Sequence, residues 1–153
     1  SFNLIGTGYE YEKMKKIVTE KDINNVHFEG WVNYDELPLK ISEFDICLGI
    51  FGDTLKASLV IPNKIFHYAA MAKPIITMDS PAIREIFSPG EDIELIENNG
   101  KAIAQAILSL VNNESKQTIL GENARKLAEN KFNENKIAQK LLSIVGAIQK
   151  KAS

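Results

Sequence analysis

The residues best suited to chemistry lie between Val60 and His67. Pro62 is typical of a first helical turn, and it predicts a helix running to Met71 that starts where a loop ends. The free N–H groups and positive dipole end of such a turn stabilise an anion, and a diphosphate suits them best. Asn63, Lys64 and His67 share one side of this helix because of their spacing, and Lys64 adds a charge. In the alternative interpretation these residues have no functional role. Asn63 is then a cap-region residue, Lys64 a solvated surface charge and His67 a residue that only fills space.

Glycines and polar residues follow two other predicted strands. Gly6 and Gly8 would let a ligand approach the backbone closely, but the third glycine of the dinucleotide fingerprint is missing, and a tight turn is the alternative. Asp53 can accept hydrogen bonds from sugar hydroxyls or form an Asx-turn. Lys56 is a second candidate for phosphate charge or a solvated lysine. Trp31 can stack on a base, although packing over the core edge is favoured.

Several classes of site and function are disfavoured. His27 and His67 are forty positions apart with no carboxylate or cysteine at ligand spacing, so no metal site is indicated. No Gly-x-Ser-x-Gly elbow points to a hydrolase. The formal net charge of −2, with lysines and glutamates interspersed, gives no footprint for nucleic acid. No apolar run approaches the ~20 residues of a membrane span. Cys47 is the only cysteine, which indicates a reducing, cytoplasmic compartment. Its place in an apolar run predicts that its side chain is a small buried hydrophobe.

The elements that position these residues alternate between short apolar runs and amphipathic helices. This order predicts an α/β fold, a Rossmann-like doubly wound parallel sheet with helices on both faces and a helical C-terminal tail. One domain over residues 1–153 suits this length. Ligands bind such sheets outside the carboxyl ends of the strands. We predict strands at residues 2–5, 26–28, 46–51, 74–78 and 93–96.

Local signals refine the connections. Asn33 and Glu36 predict a capping-box-like helix start, and Ser80 and Pro81 predict a short capped helix. Residues 52–61 have turn chemistry and no period, so we expect a loop there. Two C-terminal helical stripes are predicted; they comprise Ile103, Ala106, Ile107, Leu110 and Val111, and then Ile137, Leu141, Ile144, Val145 and Ile148.

Four segments, in this order, resemble the C-terminal domains of glycosyltransferase family 4 (glycosyl transferases group 1). Residues 4–8 are similar to the family's "hydrophobic-Gly-x-Gly" segment, and residues 26–32 to its "V-x-F-x-G-x-V" segment. Residues 61–76 resemble the "P-N-K-x-x-E-x-x-A-x-G-K-P-V-I" core of a bacterial subgroup, which is the specific part. Residues 83–87 and the helices to Leu142 continue the match.

This resemblance implies a GT-B fold, with two Rossmann-like domains and the active site in the cleft between them. The C-terminal domain would hold a nucleotide-diphosphate sugar, and the N-terminal domain would hold a glycan or lipid-linked acceptor. Transfer would retain the anomeric configuration, with no metal or other cofactor. Ile61 to Lys64, with Gly6 and Gly8, would face the diphosphate, and the loop from Phe51, with Asp53 and Lys56, would face the sugar. No catalytic residue is identified.

The sequence departs from the family pattern at three places. The two glutamates of Glu-x7-Glu are replaced by Leu59 and His67, so His67 would make a weaker ribose contact or the donor site has changed. Ala72 replaces a usual glycine, for which we expect little consequence. An Arg and a Lys after the family's first strand have no counterpart. We therefore expect a fragment that lacks the first strand and the acceptor domain and is inactive alone. We expect it to be cytoplasmic, and peripheral to the inner membrane only through the missing half.

Two other functions remain open. A nucleotide-sugar epimerase of GT-B type would need acid–base carboxylates or histidines in the cleft, and few are present here. A non-catalytic GT-B-like binding module would explain His67 as a mark of a decayed site. Nucleotide binding separates the module from the enzymes, and product analysis separates the transferase from the epimerase.

Overall fold

A computed structural model of the chain describes residues 1–152, with side chains for residues 1–149. Helices and strands alternate as far as the fifth strand, and three longer helices follow. The elements are β1 (Phe2–Ile5), α1 (Tyr11–Glu20), β2 (Val26–Gly30), a 3₁₀ turn (Tyr34–Glu36), α2 (Leu37–Ser42), β3 (Cys47–Leu48), α3 (Leu55–Leu59), α4 (Asn63–Ala70), β4 (Ile75–Met78), α5 (Pro81–Arg84), β5 (Glu94–Ile96), α6 (Gly100–Val111), α7 (Glu114–Lys131) and α8 (Glu134–Ala152).

The chain forms two compact units, Ser1–Lys40 and the residues from Ile41 onward. Each unit has its own parallel sheet, in the order β1-β2 in the first and β3-β4-β5 in the second. The predicted α/β class with parallel strands flanked by helices is confirmed.

In the first unit, β1 and β2 run parallel, from Phe2 opposite Val26 to Ile5 opposite Gly30. Side chains along β2 alternate between half-buried and exposed, as expected for a strand with one covered face. The ring of Tyr11, at the start of α1, meets the ring of Phe28 edge-on with centroids 5.4 Å apart. This contact packs the start of α1 against β2.

In the second unit, β4 is the central strand and all of its residues are buried. Ile75 and Ile76 are fully buried and, as neighbours on a strand, face opposite sides of the sheet. Ile75 packs in a cluster with residues of α4, α5 and α7, whereas Ile76 packs in a second cluster with residues of α6 and α7. Helices therefore cover both faces of this sheet, as predicted.

The strand predicted over residues 46–51 is regular only at Cys47–Leu48, but its pairing continues. Gly49 N–H donates to the Ile76 carbonyl at 2.7 Å, and Met78 N–H donates to the Ile50 carbonyl at 3.2 Å. The Thr77 hydroxyl accepts from Ile50 N–H at 3.0 Å and donates to the Ile50 carbonyl at 3.1 Å. A Cβ at Gly49 would lie 2.5 Å from the Thr77 Cβ, so the close approach requires glycine there.

Two predictions about connections are wrong. The expected loop at 52–61 contains α3, which Thr54 caps by accepting from Ala57 N–H at 3.2 Å. Asn33 precedes the 3₁₀ turn without a side-chain cap bond, and it instead donates to the Glu36 carboxylate at 3.3 Å. The two side chains therefore bond to each other, and the backbones are joined separately by Glu36 N–H donating to the Asn33 carbonyl at 3.0 Å.

The C-terminal stripes are only partly buried. Ala106 and Leu110 of α6 are buried, whereas Val111 is 56% exposed and does not belong to the covered face. The predicted stripe of α8 lies on a helix, but its five residues are 44% to 62% exposed.

The end of α4 takes a left-handed turn at Ala72, whose φ is +53°. Ala72 N–H donates to the Ala69 carbonyl and Lys73 N–H to the Tyr68 carbonyl, which is the bonding of a Schellman motif. Glycine is the preferred residue at this position because a side chain is strained there. The expectation that alanine has little consequence here is therefore wrong as regards backbone strain.

Candidate functional site

The strongest candidate site is the start of α4. Pro62 is the N-cap, with extended backbone, and the helix proper begins at Asn63, one residue later than predicted. Ile65 N–H donates to the Pro62 carbonyl at 3.0 Å. Within residues 1–152, the N–H groups of Asn63 and Lys64 have no hydrogen-bond partner, and both residues are exposed. An anion at this position would complete their hydrogen bonding.

Lys64 places an ammonium in this first turn. The residue is exposed by area, but surrounding protein atoms partly desolvate its ammonium, which lowers the pKa of Lys64 below its usual 10.5. Cys47 opposes this shift and raises the pKa of Lys64. A bound anion would also favour the charged form, so anion binding and protonation of Lys64 are coupled.

Cys47 is a buried free thiol, as predicted. Burial raises its pKa to about 12, although Lys73 and Lys64 act to lower it. The side chain is therefore a neutral thiol near pH 7 and not a nucleophile. His67, one turn into α4, is half-buried.

The three strands of the second unit end in the same way. Each carboxyl end leads to a polar residue that directly precedes a helix N-cap, and each N-cap side chain accepts from a backbone N–H at 2.8 to 3.4 Å. This is the edge of a parallel sheet at which ligands bind. The pairs are Asp53 and Thr54 after β3, Asp79 and Ser80 after β4, and Asn98 and Asn99 after β5.

The side chains at this edge are paired. Asp53 accepts from the Asn98 amide at 2.6 Å, 45 residues away. Asp79 accepts two bonds from Arg84, at 2.6 and 2.7 Å, and these bonds hold the pKa of Asp79 below its usual value. Sequence reasoning missed Asn98. The only local signal was its place two residues before Gly100 and an amphipathic helix, which indicates a cap region and not a partner for Asp53.

The remaining predicted residues of the second unit are not members of these pairs. Ile61 and Pro62 are half-buried and lead into α4. Lys56 is exposed on α3 and not in a loop, because α3 occupies that segment. Its assignment to phosphate or sugar stays a prediction.

In the first unit, Gly6 and Gly8 belong to the turn between β1 and α1. Gly6 has a φ of +117°, which favours glycine, and its N–H donates to the Gly30 carbonyl. The turn lines a cavity of about 370 Å³, bounded by residues 4–11 and Met14. Trp31 is 77% exposed, which contradicts the favoured interpretation that it packs over the core edge. Base stacking by Trp31 stays a prediction.

The described part of the chain offers neither a cluster of metal ligands nor a membrane-spanning helix. No group of three or more His, Cys, Asp or Glu residues among residues 1–152 could hold a metal ion. Over the same residues, none of the helices has the length and apolar character that crossing a bilayer requires.

The chain is similar to known glycosyltransferases in sequence and to solved structures in fold. An uncharacterized glycosyltransferase of Methanocaldococcus jannaschii is 26% identical over 137 residues, which cover 84% of this chain and 36% of the relative. The sucrose-phosphate synthase of Thermosynechococcus elongatus has a similar structure, with a TM-score of 0.79, 19% identity, and coverage of 99% of this chain and 39% of that one. The Anabaena protein HepE, solved with UDP-glucose, is also similar, with a TM-score of 0.79 and 18% identity. The match covers 95% of this chain and 40% of HepE. The chain thus spans well under half the length of these proteins.

Residues 1–143 match the family model described as glycosyl transferase-like, which covers most of the chain. The structural neighbours share the α/β arrangement of GT-B glycosyltransferases. The chain therefore belongs to the glycosyl transferase-like family and has the fold of the C-terminal domain of a group 1 glycosyltransferase.

Proposed function

We propose that this chain is the donor-binding part of a glycosyltransferase and that the start of α4 holds the diphosphate of a nucleotide sugar. The observation that carries the proposal is the pair of N–H groups of Asn63 and Lys64, which lack partners among residues 1–152, in a turn that also carries the lysine side chain. N–H groups at a helix start are suited to phosphate, and an adjacent lysine supplies a full charge. HepE, which shares the fold, was solved with UDP-glucose.

The chemical role follows from charge. When the sugar leaves, negative charge develops on the diphosphate, and oriented N–H groups with a lysine stabilise it. These groups can act in place of a cation, so we propose transfer without a metal. Retention of configuration, as the family 4 resemblance implies, belongs to the same proposal.

Other roles stay predictions. We assign Asp53 and Lys56 to the donor sugar, His67 to the ribose, Gly6 and Gly8 to the diphosphate, and Trp31 to the base. We also propose a glycan or lipid-linked acceptor held by a separate N-terminal domain, and residues 1–153 as a single nucleotide-sugar-binding domain. The proposed location is cytoplasmic, and peripheral to the inner membrane only through that other domain.

Saturation-transfer NMR of this chain against UDP, GDP, ADP and inorganic phosphate tests the proposal, because the method detects even millimolar binding, worth only about −4 kcal/mol. We expect one nucleoside diphosphate to bind and to compete with its own sugar conjugate. Binding of none of the three would contradict the donor-site assignment.

A second candidate, a non-catalytic binding module, is favoured by one observation. His67 stands where the resembled family has a glutamate that accepts hydrogen bonds from the ribose hydroxyls, and a neutral imidazole has only one acceptor. A module would bind the nucleotide but show no sugar transfer and no sugar-nucleotide hydrolysis in the full-length protein. Product analysis of that protein distinguishes it from the transferase.

A further inference from the structure

A hydrogen bond joins the segments that follow the two outer strands of the second sheet. Asn98 Nδ2 donates to Asp53 Oδ1 at 2.6 Å, although the two residues are 45 positions apart. Asp53 follows β3 and Asn98 follows β5, and β4 lies between these strands. The bond therefore spans the end of β4, at the edge of the sheet where ligands bind.

The backbone next to both partners is fixed. Thr54 follows Asp53 and caps α3, and Asn99 follows Asn98 and caps α6 through Ala102 N–H at 2.8 Å. Each residue therefore directly precedes a hydrogen-bonded helix start. The bond between their side chains then fixes the direction of the Asp53 carboxylate.

The two carboxylates at this edge differ in what they can still bind. Asp79 gives one oxygen to each of two nitrogens of Arg84. Asp53 gives Oδ1 to Asn98, and its Oδ2 has no partner among the described residues. An ionised carboxylate accepts through both oxygens, so Oδ2 is available to a hydroxyl donor. Asp53 is exposed, so a ligand can reach it.

We propose that Asn98 is a positioning residue that orients Asp53 so that Oδ2 accepts a hydrogen bond from a hydroxyl of the donor sugar. This inference rests on the proposed function, since it needs a sugar donor at this edge. Asn98 is suited to the task because its amide donates to the carboxylate. An aspartate at position 98 would place a second negative charge against Asp53.

The test separates sugar from nucleotide. Affinities for UDP-glucose and UDP, GDP-mannose and GDP, and ADP-glucose and ADP are measured by NMR titration of the 153-residue chain, and the pair that binds is used. We expect Asn98→Ala to weaken binding of the sugar conjugate by about tenfold, the effect of one hydrogen bond to a charged group. Affinity for the free diphosphate should stay within about twofold, because the diphosphate lies elsewhere.

A double-mutant cycle supplies the readout that a merely structural role would not give. Asp53→Ala should show the same selective loss, and adding Asn98→Ala to it should cost nothing more, because Asn98 acts through Asp53. Asn98→Asp should also lose the sugar contact. The matched control is Asn112→Ala at the other end of α6, where the amide donates to the Leu108 carbonyl and no change in either affinity is expected.

Each outcome decides a claim. Equal losses for the sugar conjugate and the free diphosphate in Asn98→Ala, or additive losses in the double variant, would overturn the positioning role and leave the proposed function standing. If Asn98→Ala does not fold, the Asn98→Asp comparison decides by the same criterion. A wild-type chain that binds no member of any pair would overturn the proposed function and this inference together.

Discussion

Lys64 lies in the first turn of α4 with its ammonium partly desolvated, and desolvation of a charge costs free energy unless an opposite charge is near. A diphosphate beside the N–H groups of Asn63 and Lys64 would remove this cost. The same turn therefore explains both the lowered pKa of Lys64 and its suitability for an anion.

Replacing Lys64 tests this pairing of charge and helix start. We expect Lys64→Ala to lower nucleoside diphosphate affinity by about tenfold or more, because a charge-assisted contact is lost. The matched control is Lys101→Ala, since Lys101 is the second residue of α6 as Lys64 is of α4. Isothermal titration measures both variants, and an unchanged affinity in Lys64→Ala would exclude Lys64 from the site.

The pH dependence of binding follows from the direction of the shift. Lys64 has a pKa below 10.5 in the free protein, and the anion favours its charged form. Affinity should therefore be full below this lowered pKa and fall as pH rises through it. Titrations between neutral and alkaline pH should show this fall in the wild type and not in Lys64→Ala, and the same fall in both would assign it to another group.

His67 gives a second test at the residue scale. We expect His67→Glu to preserve nucleotide affinity or to tighten it by up to about tenfold, because a carboxylate accepts hydrogen bonds from ribose hydroxyls more strongly than an imidazole. His67→Gln, which is neutral, is the control. A clear loss of affinity in His67→Glu would show that the histidine has a role of its own.

Single candidate residues could be named from the sequence, whereas the pairs that they form could not. The sequence indicated Asp53 and Lys64 because their positions after a strand and at a helix start are local properties. The Asp53–Asn98 bond joins residues 45 positions apart, and no local pattern encodes that distance. The exposure of Trp31 was missed for the same reason, since packing depends on what surrounds the residue in space.

At the scale of elements, segments with a strong local signal were predicted well and segments without one were not. β4 and the capped α5 carry local signals, namely a buried apolar run and Ser80 before Pro81. α3 has only five residues, too few for a helical period to show. The end of regular pairing in β3 after Leu48 was also missed, because it depends on the Thr77 hydroxyl of the neighbouring strand.

The contact between Gly49 and Thr77 predicts a large effect of a small change. A Cβ at Gly49 would lie 2.4 Å from Thr77 Oγ1 and 2.8 Å from Ile65 Cδ1, so β3, β4 or α4 must shift. We expect Gly49→Ala to lower the free energy of unfolding by about 1–3 kcal/mol, the usual cost of overpacking. Urea denaturation measures it. Gly100→Ala is the control, because its Cβ would meet nothing within 4 Å, and an equal effect of the two changes would contradict the contact.

Ala72 predicts a change of opposite sign. Its φ of +53° costs an alanine about 1–2 kcal/mol, whereas glycine pays about 0.4–1 kcal/mol through the unfolded chain. We therefore expect Ala72→Gly to raise the free energy of unfolding by about 0.5–1 kcal/mol in the same assay. A loss of stability would show that the methyl group packs well enough to offset the strain.

At the scale of the whole molecule, the fold class followed from alternation of strands and helices, and the family followed from segments spread along most of the chain. The sequence did not predict what covers an exposed apolar face. The stripe on α8 has helical spacing, but its residues stay exposed. Sequence periodicity predicts that a face is apolar without indicating its partner.

The most direct test of the central claim is a titration of the ¹⁵N-labelled chain with UDP, GDP and ADP, followed by backbone amide shifts. If the start of α4 holds the diphosphate, the nucleotide that binds should shift the amides of Asn63 and Lys64 most strongly among those of the second unit, because their N–H groups gain a charged acceptor. Lys64→Ala should reduce the shift at a given concentration. Binding that moves other amides and leaves those of Asn63, Lys64 and Ile65 unchanged would contradict the assignment.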